Sequence, residues 1–128
     1  MMKIDYKSHN KYDKTREFIR VSDIIRQSNK RSIVRPHDIR YASKILYPNN
    51  PEYIEVGNNA VIKMDSIIGG KLNRAEFKSI ATHCAKDLNV RLSKGSIVYL
   101  SAILELIHFY ENLCNYVIED SEDSEDSD

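Results

Sequence analysis

Apolar residues recur at helical spacing along most of the chain, and strand-like alternation is scarce. Five helical segments follow from that pattern. The first spans about 12–29, with Phe18, Val21 and Ile25 on one stripe and Ile24 beside it. Upstream, 1–11 offers only Ile4 and Tyr6 as anchors, so fraying is expected there. The second spans about 36–47. Its Pro36 sits where a first helical turn tolerates proline, and Ile39, Ala42, Ile45 and Leu46 share a face. Pro48, Asn49, Asn50 and Pro51 end it. A third segment, about 52–64, carries the stripe Tyr53, Val56, Ala60 and Met64 and is interrupted by Gly57.

Residues 67–72 read as a short linker. Asn73 then caps a fourth helix, with Glu76 completing a capping-box pattern. Phe77, Ile80, Ala81, Cys84, Ala85 and Leu88 follow as the cleanest amphipathic stripe in the chain. The fifth helix, about 96–119, is apolar on most of its circumference. Ile97, Leu100, Leu104, Ile107 and Cys114 line one side; Ile103, Leu106, Tyr110, Leu113 and Val117 line another. Such a helix is buried against several neighbours, and at 1.5 Å per residue it is roughly 36 Å long. A long central helix flanked by shorter ones outlines an all-α fold of 128 residues, within reach of one domain. The two cysteines, Cys84 and Cys114, lie on apolar stripes and are expected as reduced core thiols.

Charge changes the picture. The formal net charge is zero, but seven acidic residues and no basic one fall in 119–128. The remaining 118 residues hold 19 basic and 12 acidic side chains, a body charge of +7. A basic body with an acidic tail suits a polyanionic partner. The tail repeats Ser-Glu-Asp and is expected to be disordered. Cations concentrate in two loops, Asn29-Lys30-Arg31-Ser32-Ile33-Val34-Arg35 and Val90-Arg91-Leu92-Ser93-Lys94-Gly95. No apolar run reaches the roughly 18 to 20 residues that span a bilayer, and the start lacks a signal-peptide pattern, so an intracellular protein is the default. His9, His37, His83 and His108 show no metal-ligand spacing. No phosphate loop or nucleophile motif occurs, so neither cofactor nor catalysis is expected. Tyr41, Tyr47, Tyr53, Tyr99, Tyr110 and Tyr116 read as packing residues.

Residues 29–47, N-K-R-S-I-V-R-P-H-D-I-R-Y-A-S-K-I-L-Y, resemble the second loop and third helix of histone 2B, and Pro48 stands where that family has a proline before its extra C-terminal helix. Residues 90–106, V-R-L-S-K-G-S-I-V-Y-L-S-A-I-L-E-L, resemble the first loop and central helix of histone 2A. The order, 2B-like then 2A-like, is similar to the histone doublets of giant DNA viruses of the Marseillevirus type, here truncated. The resemblance implies a histone fold: a single-chain handshake pair with incomplete ends. Residues 1–68 would be the 2B-like part, with central, third and C-terminal helices. Residues 69–118 would be the 2A-like part, with first and central helices, and 119–128 the acidic tail.

It further implies a DNA-packaging protein of viral chromatin, in the virion and in the infected cell, whether in the nucleus or a cytoplasmic viral factory. Lys30, Arg31, Ser32 and Arg35 would pair with Arg91, Ser93 and Lys94 along one phosphate track. Arg31 and Arg91 match positions whose arginines enter the minor groove. Partners would be double-stranded DNA and histone 4 and histone 3-like proteins, with no membrane and no small-molecule substrate. Ile24, Ser28, His37, Tyr41 and Lys44 fall on the surface used for histone 4, with Ser28 where a tyrosine is expected and His37 where an arginine is. The acidic surface patch of the 2A family is thinned: Glu105 is kept, while Tyr110 and Leu113 replace acids. The alternative is a regulatory histone-fold module or chaperone-like protein that binds other histones without wrapping DNA.

Overall fold

Three prolines and four glycines leave little to interrupt helices, and every described element is one. A computed structural model describes the backbone of residues 2–63 and 74–127 and the side chains of 12–63 and 75–113. The helices are α1 (Met2–Ser28), α2 (Pro36–Leu46), α3 (Pro51–Ile62), α4 (Arg74–Leu88) and α5 (Lys94–Ser127). The class is all-α. The expected linker 67–72, the Asn73 cap, Met64 and the side chains of Cys114, Tyr116 and Val117 lie outside the described residues.

Two boundaries differ from expectation. α1 begins at Met2 rather than fraying before residue 12; no glycine or proline occurs before Pro36 to stop it. α5 begins at Lys94 and continues to Ser127, so 119–127 is helical where a disordered tail was expected. No glycine or proline follows Gly95, so the backbone carries no stop signal there. Composition registers the charge of the tail but not its covalent continuity with a buried helix.

α1 and α4 end alike, in a Schellman motif. Arg31 N–H donates to the Arg26 carbonyl at 3.2 Å and Lys30 N–H to Gln27 at 3.0 Å. Val90 N–H donates to Ala85 at 2.9 Å and Asn89 N–H to Lys86 at 3.2 Å. Lys30 (φ 56) and Asn89 (φ 57) take the left-handed conformation that this cap requires. Both basic loops therefore leave their helices through the same turn.

α5 packs on the other four helices and supplies Tyr99, Leu100, Ile103, Leu104 and Ile107 to the core. α4 docks through its stripe: Phe77, Ile80, Ala81, Cys84 and Ala85 are buried, with Leu88 partly so. α1 contributes Phe18 and Ile19, and α2 contributes Ile39 and Ala42. Phe18 stacks on Tyr47 with ring centroids 5.6 Å apart, and Tyr47 meets Tyr53 edge-on at 5.3 Å. Cys84 is fully buried, which pushes its thiol pKa up. Three stripe residues are not covered: Ile24 is 62% exposed, Ile45 61% and Leu113 48%.

Gly57, the apparent defect of α3, has a packing reason. The Tyr99 ring lies against it, and a Cβ at position 57 would sit 2.6 Å from Tyr99 Cζ. The ring is held there because its hydroxyl donates to Ile54 O at 3.1 Å or Asn58 Oδ1 at 2.9 Å. Gly57→Ala gains about 1 kcal/mol of helix propensity but forces an overpacking cost of about 1–3 kcal/mol. The expected outcome is a lower urea midpoint, partly restored when Tyr99 is shortened to Leu in the same chain.

Burial also pushes the Tyr99 and Tyr53 hydroxyls up to about 12. Their folded pKa lies above the unfolded value of 10, so the stability they contribute is complete below pH 10 and is lost as pH rises through 12. Phenolate absorbance and circular dichroism should show ionisation of these tyrosines coupled to alkaline unfolding. Tyr99→Phe should flatten the fall of stability in that window. Formation of all eight phenolates near pH 10 with helicity intact would contradict the coupling.

Candidate nucleic-acid interface

The two basic loops meet at Val34. Its N–H donates to Arg91 O at 2.9 Å, and its carbonyl accepts from Ser93 N–H at 2.9 Å and from the Ser96 hydroxyl at 2.7 Å. This is an isolated parallel bridge between Val34 and Leu92, with Val34 fully buried. The bridge sets α2 and α5 off side by side. A Cβ on Gly95 would lie 3.0 Å from Pro36 Cγ, so the first turns of the two helices pack directly. Two helix starts, each with a partial positive charge, thus converge beside the loops.

Four of the expected cations, Lys30, Arg35, Arg91 and Lys94, are exposed, and none is ion-paired among the described residues. Exposed Ser32 lies in the same loop. Two expected contacts take structural roles instead. Ser93 is the N-cap of α5: its hydroxyl accepts from Ser96 N–H at 3.1 Å and shares a hydrogen bond with the Ser96 hydroxyl at 2.8 Å.

Arg31 was expected to face a minor groove, but its guanidinium is bound to Asp38, whose side chain is fully buried. The other Asp38 oxygen accepts from Arg35 N–H at 2.9 Å, closing the start of α2. Arg26 adds a second brace, donating to Arg31 O at 2.7 Å while paired with Asp23 at 2.7 Å. Arg31 is therefore a clamp from loop to helix. Sequence reasoning passed over Asp38, although an acid three residues past Arg35 at a helix start is a capping signal.

The residues expected to meet a partner lie on α1 and α2, which pack against each other. Ile24 and Ser28 on α1, and His37, Tyr41 and Lys44 on α2, are all exposed. His37 meets the Tyr41 ring edge-on at 4.6 Å, and the Lys44 ammonium lies 5.3 Å from the Tyr41 centroid. Ser28 turns its hydroxyl back to Ile24 O at 3.1 Å. Tyr41, read from sequence as a packing residue, is 43% exposed, and with Ile24 and Ile45 it gives α1 and α2 an apolar outer surface.

Among the described residues, no group of three or more His, Cys, Asp or Glu is placed to hold a metal. No described helix is long and apolar enough to cross a membrane. The apolar cleft between Thr15, Phe77, Ile80, Leu104 and Ile107 has room for about one water, at 10 Å³. No family model, curated protein or solved structure matches the chain.

The clamp and the free cations should separate under mutation. Arg31→Ala leaves the Asp38 carboxylate buried without its cation and is expected to cost about 3–5 kcal/mol. Arg91→Ala removes an exposed charge and should change stability by less than about 0.5 kcal/mol. Urea denaturation of the two variants checks this; equal, small effects would show that Arg31 is not a clamp.

Proposed function

We propose that this chain packages DNA as a truncated histone-doublet protein, whose 2B-like and 2A-like parts form one handshake pair with a single complete end. The observation that carries the reading is the Val34–Leu92 bridge, which joins two basic loops and two helix starts on one surface. Four cations there form no ion pair among the described residues. A duplex phosphate track fits such a surface: cations displace condensed counterions, and helix N-termini accept phosphate oxygens. Binding would be independent of sequence, through Lys30, Arg35, Arg91 and Lys94, with Ser32 beside them. Arg31 and Ser93 hold the loops in shape.

The apolar surface of Ile24, Tyr41 and Ile45 supports a second part of the proposal, docking on a histone 4-like partner within a particle that also contains a histone 3-like protein, in viral chromatin. No catalytic step is proposed. The alternative, a regulatory or chaperone-like module that binds histones without wrapping DNA, draws support from the same apolar surface and from the acidic end of α5.

Salt dependence distinguishes the two. A duplex-binding surface of this kind should show affinity falling steeply with salt. Changing Lys30, Arg35, Arg91 and Lys94 together to Gln should flatten the slope of log affinity against log salt by about 3 to 4. Retained helicity in that variant with an unchanged slope would remove the paired loops from the DNA contact.

A further inference from the structure

The loops and the acidic segment occupy opposite ends of the same helix. α5 starts beside the paired loops at Lys94 and is continuous to Ser127. At 1.5 Å per residue, Glu119 lies roughly 38 Å along it from the loops and Ser127 roughly 50 Å. A helix does not double back, so residues 119–127, helical throughout, stay far from the paired loops of their own chain. Through solvent they act weakly too, since the Debye length is about 10 Å at 0.1 M salt. The body carries +7 and the segment −7, and Lys30, Arg35, Arg91 and Lys94 at the loop end form no ion pair among the described residues. Opposite charges therefore stand at the two ends of one long helix.

We propose that the acidic end of α5 in one copy docks on the paired-loop end of a second copy, occupying the surface that would otherwise hold DNA. The contact joins two different patches, so it is head-to-tail and, unless a ring closes, open-ended. Each added copy exposes one fresh loop end and one fresh acidic end. DNA competes directly, because a duplex offers the same loops a denser line of negative charge. The segment then acts as a concentration-dependent regulator: free copies bind DNA unhindered, and crowded copies without DNA store one another. The proposal rests on the paired loops as the anion-binding surface, but not on how DNA is wrapped.

Sedimentation of three full-length proteins at about 50 mM salt, where the Debye length is still well short of 38 Å, tests it. The first is the unaltered chain. The second has the seven acidic residues of 119–128 changed to their amides. The third has Lys30, Arg35, Arg91 and Lys94 changed to Gln. The unaltered chain should gain mass roughly twofold or more with concentration and return to monomer at high salt or on adding duplex DNA. Each variant alone should stay monomeric. Mixed, they should form pairs and stop there, because each supplies only one competent end. In DNA titrations at concentrations too dilute for association, the amide variant should match the unaltered chain within about twofold, since the tail lies beyond the Debye length of its own loops.

A monomeric unaltered chain, self-association by the amide variant, or a mixture that does not pair would overturn the proposal. So would tighter DNA binding by the amide variant at every dilution, which would mean that the tail reaches its own loops. Steep salt-dependent DNA binding without self-association would overturn this contact alone and leave the DNA-packaging reading standing.

Discussion

The arrangement depends on the backbone of Val34. One residue, sealed from solvent, ties loop to loop through its N–H and its carbonyl. An unpaired backbone group at that depth would cost about 1–3 kcal/mol, so the loops are held in register by what would be lost on separation. The Ser96 hydroxyl shares the same carbonyl, which couples the bridge to the first turn of α5. From that junction follow the close approach of Gly95 to Pro36, the contact between α2 and α5, and a surface on which cations from sequence positions about 60 residues apart come together.

Charge at this end is divided by depth. Asp38 is buried, so it must be bonded on both oxygens, and it takes Arg31 and the Arg35 amide. The cations left outside lack such a partner and remain free for an external anion. The difference between Arg31 and Arg91 is thus one of neighbours and not of residue type. The positive φ at Lys30 has a related origin: the Schellman turn that releases the loop places a residue in the left-handed region.

The far end of the molecule is less enclosed. α5 emerges from its neighbours with Phe109 57% and Leu113 48% exposed, and Lys14 of α1 pairs with Glu111 across the gap. Charge is therefore ordered along α5, which starts beside the basic loops and ends in an acidic sequence. The proposed DNA-contact end and the proposed head-to-tail contact both draw on this asymmetry.

Much was legible in the sequence. Every position of the α4 stripe is at least partly buried, since a period of 3.6 marks a face whatever that face meets. The loop boundaries at Pro36 and Pro51, the all-helical class and the cationic character of both loops were equally local. What tertiary structure alone decided was which neighbours exist. Ile45 and Leu113 belong to apolar faces left largely exposed among the described residues. Arg31 sits in a basic loop, yet a buried carboxylate one helical turn inside α2 turns it inward. Gly57 looks like a helix breaker until the Tyr99 ring is seen to need the space. Residues 119–127 have the composition of a disordered tail, yet their backbone continues a buried helix. Periodicity and composition describe what a segment presents. Burial and pairing depend on what is brought against it, and that depends on contacts between residues far apart in the chain.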